Sequence, residues 1–154
     1  MGVRLSEDEA WEMLAASHTG IITTLRRDGW PISLPMWFAV IDRKIYMRTL
    51  AASKKALRIK RDERACFMVE SGEAWKDLAA VVVPVRASLI DPASEEARRA
   101  LAAMGEKYKG FGLPQKQVPE ATRKHYSASS VVIRLDPAGA MISWNNAKIR
   151  LQSA

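Results

Sequence analysis

Between Arg43 and Arg64 the chain carries nine cations (Arg43, Lys44, Arg48, Lys54, Lys55, Arg58, Lys60, Arg61 and Arg64), opposed only by Asp62 and Glu63. That excess equals the formal net charge of +7 of all 154 residues, so the positive charge is concentrated here. Inside the stretch, Thr49, Ser53, Lys54 and Lys55 fall where a β-rich run gives way to a helix-forming one. Hydroxyls and lysines at a helix N-terminus suit a phosphate, because free backbone N–H groups and the helix dipole favour negative charge there. A solvated basic helix face is the simpler reading, and composition alone leaves both open. No Walker or dinucleotide glycine pattern is present, which disfavours ATP or NAD bound through those motifs.

Trp144 is the second point of interest. In the segment SWNNAK an indole ends a β-rich run and is followed by two amides and Lys148. Trp144 can cap a core, or it can lie beside a flat ring with a polar rim. No nucleophile, base and acid stand in a recognisable pattern. Ser127, Ser129 and Ser130 lie near His125, but no Gly-x-Ser-x-Gly elbow supports them, so no residue receives a catalytic role. A single cysteine, Cys66, excludes an intramolecular disulfide. The two histidines, His18 and His125, are too far apart in sequence to suggest a metal site. The basic run carries no interleaved aromatic platform, so nucleic acid is not an expected partner. The N-terminal segment MGVRLSEDEAWEML lacks the apolar core of a signal peptide, and no run has membrane-spanning length. The expectation is a cytoplasmic protein without a membrane partner.

The elements that must position these residues follow from local patterning. Ser6 and Glu9 form a capping box ahead of a helix over Glu7–Ala16, and His18 is read as capping or packing at its end. Gly20–Leu25 reads as a strand, and Asp28-Gly29 as a hairpin turn. Trp30–Ile41 reads as one strand with Ile32, Leu34, Met36, Phe38 and Val40 on one face and Ser33, Pro35, Trp37 and Ala39 on the other. Pro31 and Pro35 lack an N–H, so both edges of this strand cannot be paired there. Lys44–Leu50 completes an expected three-stranded meander. A helix over Ala51–Asp62, a strand over Arg64–Glu70 and a long strand over Ala79–Ile90 follow, with a bulge or an edge at Pro84. A helix from Ala93 to Tyr108 presents Ala97, Ala100, Leu101 and Met104 as its core face. After a loop and a short helix over Pro119–Tyr126, Ser130–Leu135 and Ala140–Trp144 are expected to pair, leaving a polar, basic tail over residues 145–154. The apolar fraction of 48% suffices for one core, giving a single α+β domain over residues 1–154. Consecutive antiparallel strands in so short a chain favour a small Greek-key-like barrel with peripheral helices.

In order, GIITTLRRDGWPISLPMWF, KIYMRTLAASKKALRIKRDERACFMVE, VVVPVRASLI and ISWNNAKIRL resemble the pyridoxamine 5'-phosphate oxidase-like split β-barrel proteins that bind flavins or deazaflavins. The resemblance implies a homodimer with two cofactors at the subunit interface, either FMN or the deazaflavin F420. It implies that the backbone of Leu34, Pro35, Met36 and Trp37 runs along the cofactor ring. Arg48, Thr49, Ser53, Lys54 and Lys55 would hold the cofactor phosphate, and Trp144 and Lys148 would reach the ring pocket of the other subunit. Many relatives carry Asn where Arg58 stands and Asp-His or similar where Asn145-Asn146 stands. The chain also lacks the fuller C-terminal segment of the oxidases that act on pyridoxamine phosphate, so another substrate is expected. The function implied is hydride transfer by an FMN- or F420-dependent oxidoreductase. The alternative is a non-catalytic flavin or haem carrier, store or sensor on the same scaffold.

Overall fold

The computed structural model describes residues 2–150; Met1 and the last four residues of the expected tail lie outside the described residues. Ser6 starts the first helix as its sequence demands. Its Oγ accepts the Glu9 N–H at 3.2 Å, and the Glu9 carboxylate accepts the Ser6 N–H at 2.7 Å. This closed capping box begins α1 (Glu7–Ala16), which buries Ala10, Trp11 and Leu14. The strands are β1 (Gly20–Leu25), β2 (Pro31–Met36), β3 (Ala39–Ile41), β4 (Lys44–Leu50), β5 (Arg64–Ser71), β6 (Ala79–Ile90), β7 (Ser130–Pro137) and β8 (Ile142–Asn145). The other helices are α2 (Lys54–Arg61), α3 (Glu95–Lys107) and α4 (Glu120–Tyr126). No described helix is long and apolar enough to cross a membrane.

All eight strands join one antiparallel sheet in the order β2-β1-β5-β6-β7-β4-β3, with β8 added to β6. The two end strands, β2 and β3, are consecutive in sequence and are linked only by Trp37 and Phe38. The sheet therefore curls on itself, and the chain is an α+β split barrel with helices outside it. Phe38, Phe67, Leu14, Ile22, Ile45, Met47, Ile133 and Leu135 are fully buried in its core.

Four expectations about strands change. Trp30–Ile41 is two strands, because Phe38 and Ala39 are both buried and the in-out alternation slips at the link. The expected meander is consequently open: β1 pairs with β2 and β3 with β4, but β2 and β3 lie at opposite ends of the sheet path. Asp42 and Arg43, both at positive φ, make the tight two-residue turn between β3 and β4. The last two strands do not pair with each other. β7 lies between β4 and β6, and β8 pairs with the first part of β6. Pro84 explains that arrangement. It makes no bulge, since the β5–β6 register runs through it unbroken. On the other edge of β6, Ala79–Val82 pair with β8 and Val85–Ile90 with β7, so the residue without an N–H sits where the partner changes.

α2 and α3 begin slightly later than their composition suggests. α2 starts after Ser53, whose Oγ accepts the Ala56 N–H at 3.1 Å, and it buries Ala56 and Ile59. α3 starts after Ser94 on the same pattern and packs over β3, β4 and β7.

Candidate functional site

The junction of β4 and α2 is the most constrained part of the basic stretch. Thr49 and Leu50 are in register with Val131 and Ser130, so the end of β4 is fixed against the start of β7. The Arg48 Nε donates to the Ser130 Oγ at 3.1 Å, which holds the guanidinium in place. The Thr49 and Ser53 hydroxyls are 3.1 Å apart. Lys55 is half-buried in the first turn of α2, a turn that contains no acidic residue. Burial, and then the charge of Arg58, push the Lys55 ammonium below its ordinary range. Among the described residues no carboxylate pairs with Lys55 or Arg48. Two anchored hydroxyls and two unneutralised cations make a cradle for an anion.

The β2–β3 link and α3 form another wall. The Trp37 indole stacks on Tyr108, with centroids 4.3 Å apart and planes 3° from parallel. The buried Tyr108 hydroxyl accepts the Phe38 N–H at 2.8 Å and donates toward the carbonyl of His18 at 2.6 Å. Lys107 donates to the Phe38 carbonyl at 3.0 Å, and its ammonium lies 3.7 Å above the Phe38 ring. Burial lowers its pKa to about 8. The end of α3 therefore fastens the link that joins the two ends of the sheet.

Between the cradle and this aromatic wall is a cavity of about 850 Å³. Its polar side holds Arg48, Thr49, Ser53, Lys55 and Ser130, and its apolar side holds Met36, Trp37, Leu101, Met104 and Tyr108. Gly112, His125 and Tyr126 close over it from the α3–α4 connection and α4. Its size is that of a pocket for a small ligand or cofactor. The donor set fits a flat ring carrying an anionic arm: the ring against indole, phenol and thioether, the arm among hydroxyls and cations. A smaller cavity of about 470 Å³ lies beside the start of α1, where Arg43 is already paired with Glu7 and Asp8. Among the described residues no cluster of metal-binding side chains occurs.

Of the residues singled out from sequence, Met36, Trp37, Arg48, Thr49, Ser53 and Lys55 meet in the one cavity. The remaining five lie elsewhere. Leu34 and Pro35 are in β2, which among the described residues is an edge strand paired with β1 alone. Lys54 lines a separate groove with Arg58 and Arg61. Trp144 is opposite Ala80 in the β6–β8 ladder. The Lys148 ammonium is 2.7 Å from the Glu9 carboxylate, so it braces the α1 capping box of its own chain. His18 does not cap α1, whose C-cap is Ser17; it packs against Trp37, Tyr108 and Phe111 instead. Sequence reasoning missed Tyr108 and Tyr126, and it set His125 and Ser130 aside for want of a supporting motif, yet all four line the cavity. Tyr108 stands where α3 meets the Gly- and Pro-bearing loop, and His125 and Tyr126 end α4. Leu101 and Met104 were expected in the core, and they are partly buried in the cavity wall.

The fold defines the class: an α+β split barrel with one large cavity at the β4–α2 junction. A sequence model described as pyridoxamine 5'-phosphate oxidase matches residues 6–140, and the chain belongs to that family. A search of curated proteins gave no significant match. Among solved structures, the conserved hypothetical protein Rv2991 from Mycobacterium tuberculosis is 28% identical, with a TM-score of 0.77 over 97% of this chain and 92% of that one. The haem storage protein HutZ from Vibrio cholerae has a TM-score of 0.69 at 16% identity, covering 90% of this chain and 94% of its own. An FAD-binding protein from Mesorhizobium loti (mll6688) has a TM-score of 0.67 at 19% identity, covering 90% of this chain and 93% of its own. At such identities the last two similarities concern the fold.

Proposed function

We propose that the protein is an oxidoreductase that holds FMN or the deazaflavin F420 in the large cavity and serves hydride transfer to a small organic substrate. The observation that carries this reading is the two-sided lining of the cavity, cationic and hydroxylic at Arg48, Thr49, Ser53 and Lys55, aromatic and apolar at Trp37, Tyr108, Met36 and Met104. The cofactor supplies the redox chemistry; the protein supplies binding, orientation and shielding from water. This division of labour needs no nucleophile–base pair, and among the described residues Ser130 and His125, which both line the cavity, form none: the Ser130 hydroxyl accepts from Arg48. Lys55 and Arg48 would hold the phosphate common to both cofactors, and Trp37 would lie along the ring. The likeness to an FAD-binding protein supports a flavin.

The same reading has the protein work as a cytoplasmic homodimer. Among the described residues β2, which carries Leu34 and Pro35, has one unpaired backbone edge, and Trp30, Trp75 and Ile142 are exposed. In the dimer, a second subunit would cover apolar surface of this kind and bring Trp144 of the partner subunit and Lys148 of the partner subunit toward the ring.

A second reading, a haem or flavin store without turnover, is favoured by one observation. His125 lines the cavity, and imidazole is a common haem ligand. The structural likeness to a haem storage protein supports it. Turnover separates the two. Protein loaded with FMN or F420 is mixed with a hydride donor and then with a quinone or nitroaromatic acceptor. The oxidoreductase reading expects repeated bleaching and recovery of the cofactor band. Binding without any turnover, or a Soret band with haemin that His125→Ala abolishes, would count against it.

A further inference from the structure

We infer that the cavity between the N-terminal strap (residues 3–6), α1 and the β7–β8 connection is a second ligand site, for a small monocarboxylate with an apolar body. It shares no lining residue with the large cavity, so the inference stands whatever that cavity holds. Its volume of about 470 Å³ is in the range of pockets that take small molecules.

The floor of this cavity extends the barrel core. Ala10 and Trp11 are buried in the core cluster, and Leu5 and Met141 pack against that cluster while only partly buried themselves. Pro137, Gly139 and Ala140, at and after the end of β7, complete a wall that carries no polar side chain. Apolar surface left open in this way is covered favourably by hydrocarbon.

The rim selects the head group. Three charged residues line the cavity: Arg4, Glu7 and Arg43. Arg43 pairs with Glu7 at 2.8 Å and with Asp8 at 2.6 Å, so a ligand ammonium would have to compete with a guanidinium for those carboxylates. Among the described residues no carboxylate pairs with Arg4, which is exposed. One unneutralised cation suits one negative charge. A second donor lies beside it. Arg4 donates to the Met141 carbonyl at 3.5 Å, and the Ser143 hydroxyl donates to the Leu5 carbonyl, also at 3.5 Å. Both bonds cross the seam between the strap and the start of β8, and both are longer than the usual range of about 2.7–3.2 Å. Further along the same seam the Asn145 N–H meets the Val3 carbonyl at 2.7 Å, so the seam is tight there and loose at the cavity. A carboxylate seated at the loose end would accept from Arg4 and Ser143, exchanging two long bonds for shorter, charge-assisted ones. Its apolar body would lie over Leu5, Trp11 and Met141.

The full chain is titrated with octanoate, octylamine and octanol, using calorimetry and the methionine methyl and tryptophan indole N–H resonances. The expected result is saturable binding of octanoate, tighter than that of the amine or the alcohol, with shifts at Met141 and Trp11 and none at Met36 or Met104. Arg4→Gln should weaken octanoate binding about tenfold, the worth of one charge-assisted contact. Ala140→Leu, in the exposed connection, should weaken it independently by filling the cavity. Arg98→Gln on α3 should leave it unchanged. The inference is overturned by absence of octanoate binding, by equal affinity in the wild type and both cavity variants, by shifts at Met36 and Met104 in place of Met141, or by octylamine binding at least as tightly as octanoate.

Discussion

Lys55 sits in a cavity wall, half-buried and unpaired among the described residues, and that is an unfavourable place for a charge without a ligand. Lys55→Ala should weaken FMN binding by about tenfold to a hundredfold, the range expected for a hydrogen bond to a charged group. It should also reduce the dependence of affinity on salt, because one screened charge is gone. Equal affinity and equal salt slopes would remove Lys55 from the cradle. Lys107 makes a different prediction. Burial lowers its pKa to about 8, so its ammonium loses a proton at lower pH in the fold than in the unfolded chain. The unfolded state then binds more protons from pH 8 up to about 10, and stability rises across that window. Denaturant unfolding at stepped pH should show the rise, and Lys107→Met should flatten it. A flat wild-type profile would mean that the Phe38 ring and carbonyl hold the charge as well as water does.

At the level of elements, Ser53 links fold and site, because one hydroxyl caps α2 and touches Thr49 in the cradle. Ser53→Ala should cost about 1 kcal/mol of stability through the lost cap. Ser53→Asp keeps a good cap but brings a carboxylate to the cradle. It should leave the melting temperature near that of the wild type while abolishing phosphate binding, a split that a purely structural serine would not give. Gly20 shows how tightly β1 packs on the core. A Cβ there would enter the space of the Phe67 ring, and overpacking of this kind costs about 1–3 kcal/mol. Urea unfolding of Gly20→Ala should show a lower midpoint; an unchanged midpoint would mean that the ring moves aside freely. Local signals made α1, β1, β4 and the body of α2 legible: a capping box, runs rich in β-branched residues, a helix-forming basic composition; that Ser53 caps α2 emerged only from the structure. They did not reveal the break at Trp37–Phe38. Two adjacent apolar residues extend a strand pattern as readily as they end it, and only the closing of the sheet requires the slip. Nor did they give the partner of β8. Sequence neighbours usually pair, but the missing N–H of Pro84 marks the point at which β6 passes from β8 to β7.

For the whole molecule, the chain's order of strands sets where a ligand can lie. The ends of the sheet meet at the Trp37–Phe38 link, and α3 clamps that link through Tyr108 and Lys107 while walling the cavity. Tyr108→Phe would strand the buried Phe38 N–H, which costs about 1–3 kcal/mol. It should also loosen Trp37, visible as a red-shifted tryptophan emission. The cationic half of the site was readable because β4 and α2 are adjacent in sequence and charge is a compositional signal. Of the aromatic half, Trp37 and Met36 came with the family resemblance alone, while Tyr108 and His125 did not, because they follow β4 by more than fifty residues with no motif to mark them. The proposed dimer predicts sedimentation at twice the mass of one chain and cofactor bound at one per subunit; a single-chain mass would overturn it. The most direct measurement is a titration of the purified protein with FMN and with F420, followed by cofactor absorbance and tryptophan quenching. The account predicts saturable binding of one of them, quenching that Trp37→Phe diminishes, and weaker binding in Lys55→Ala. Binding of neither, or binding indifferent to both substitutions, would contradict it.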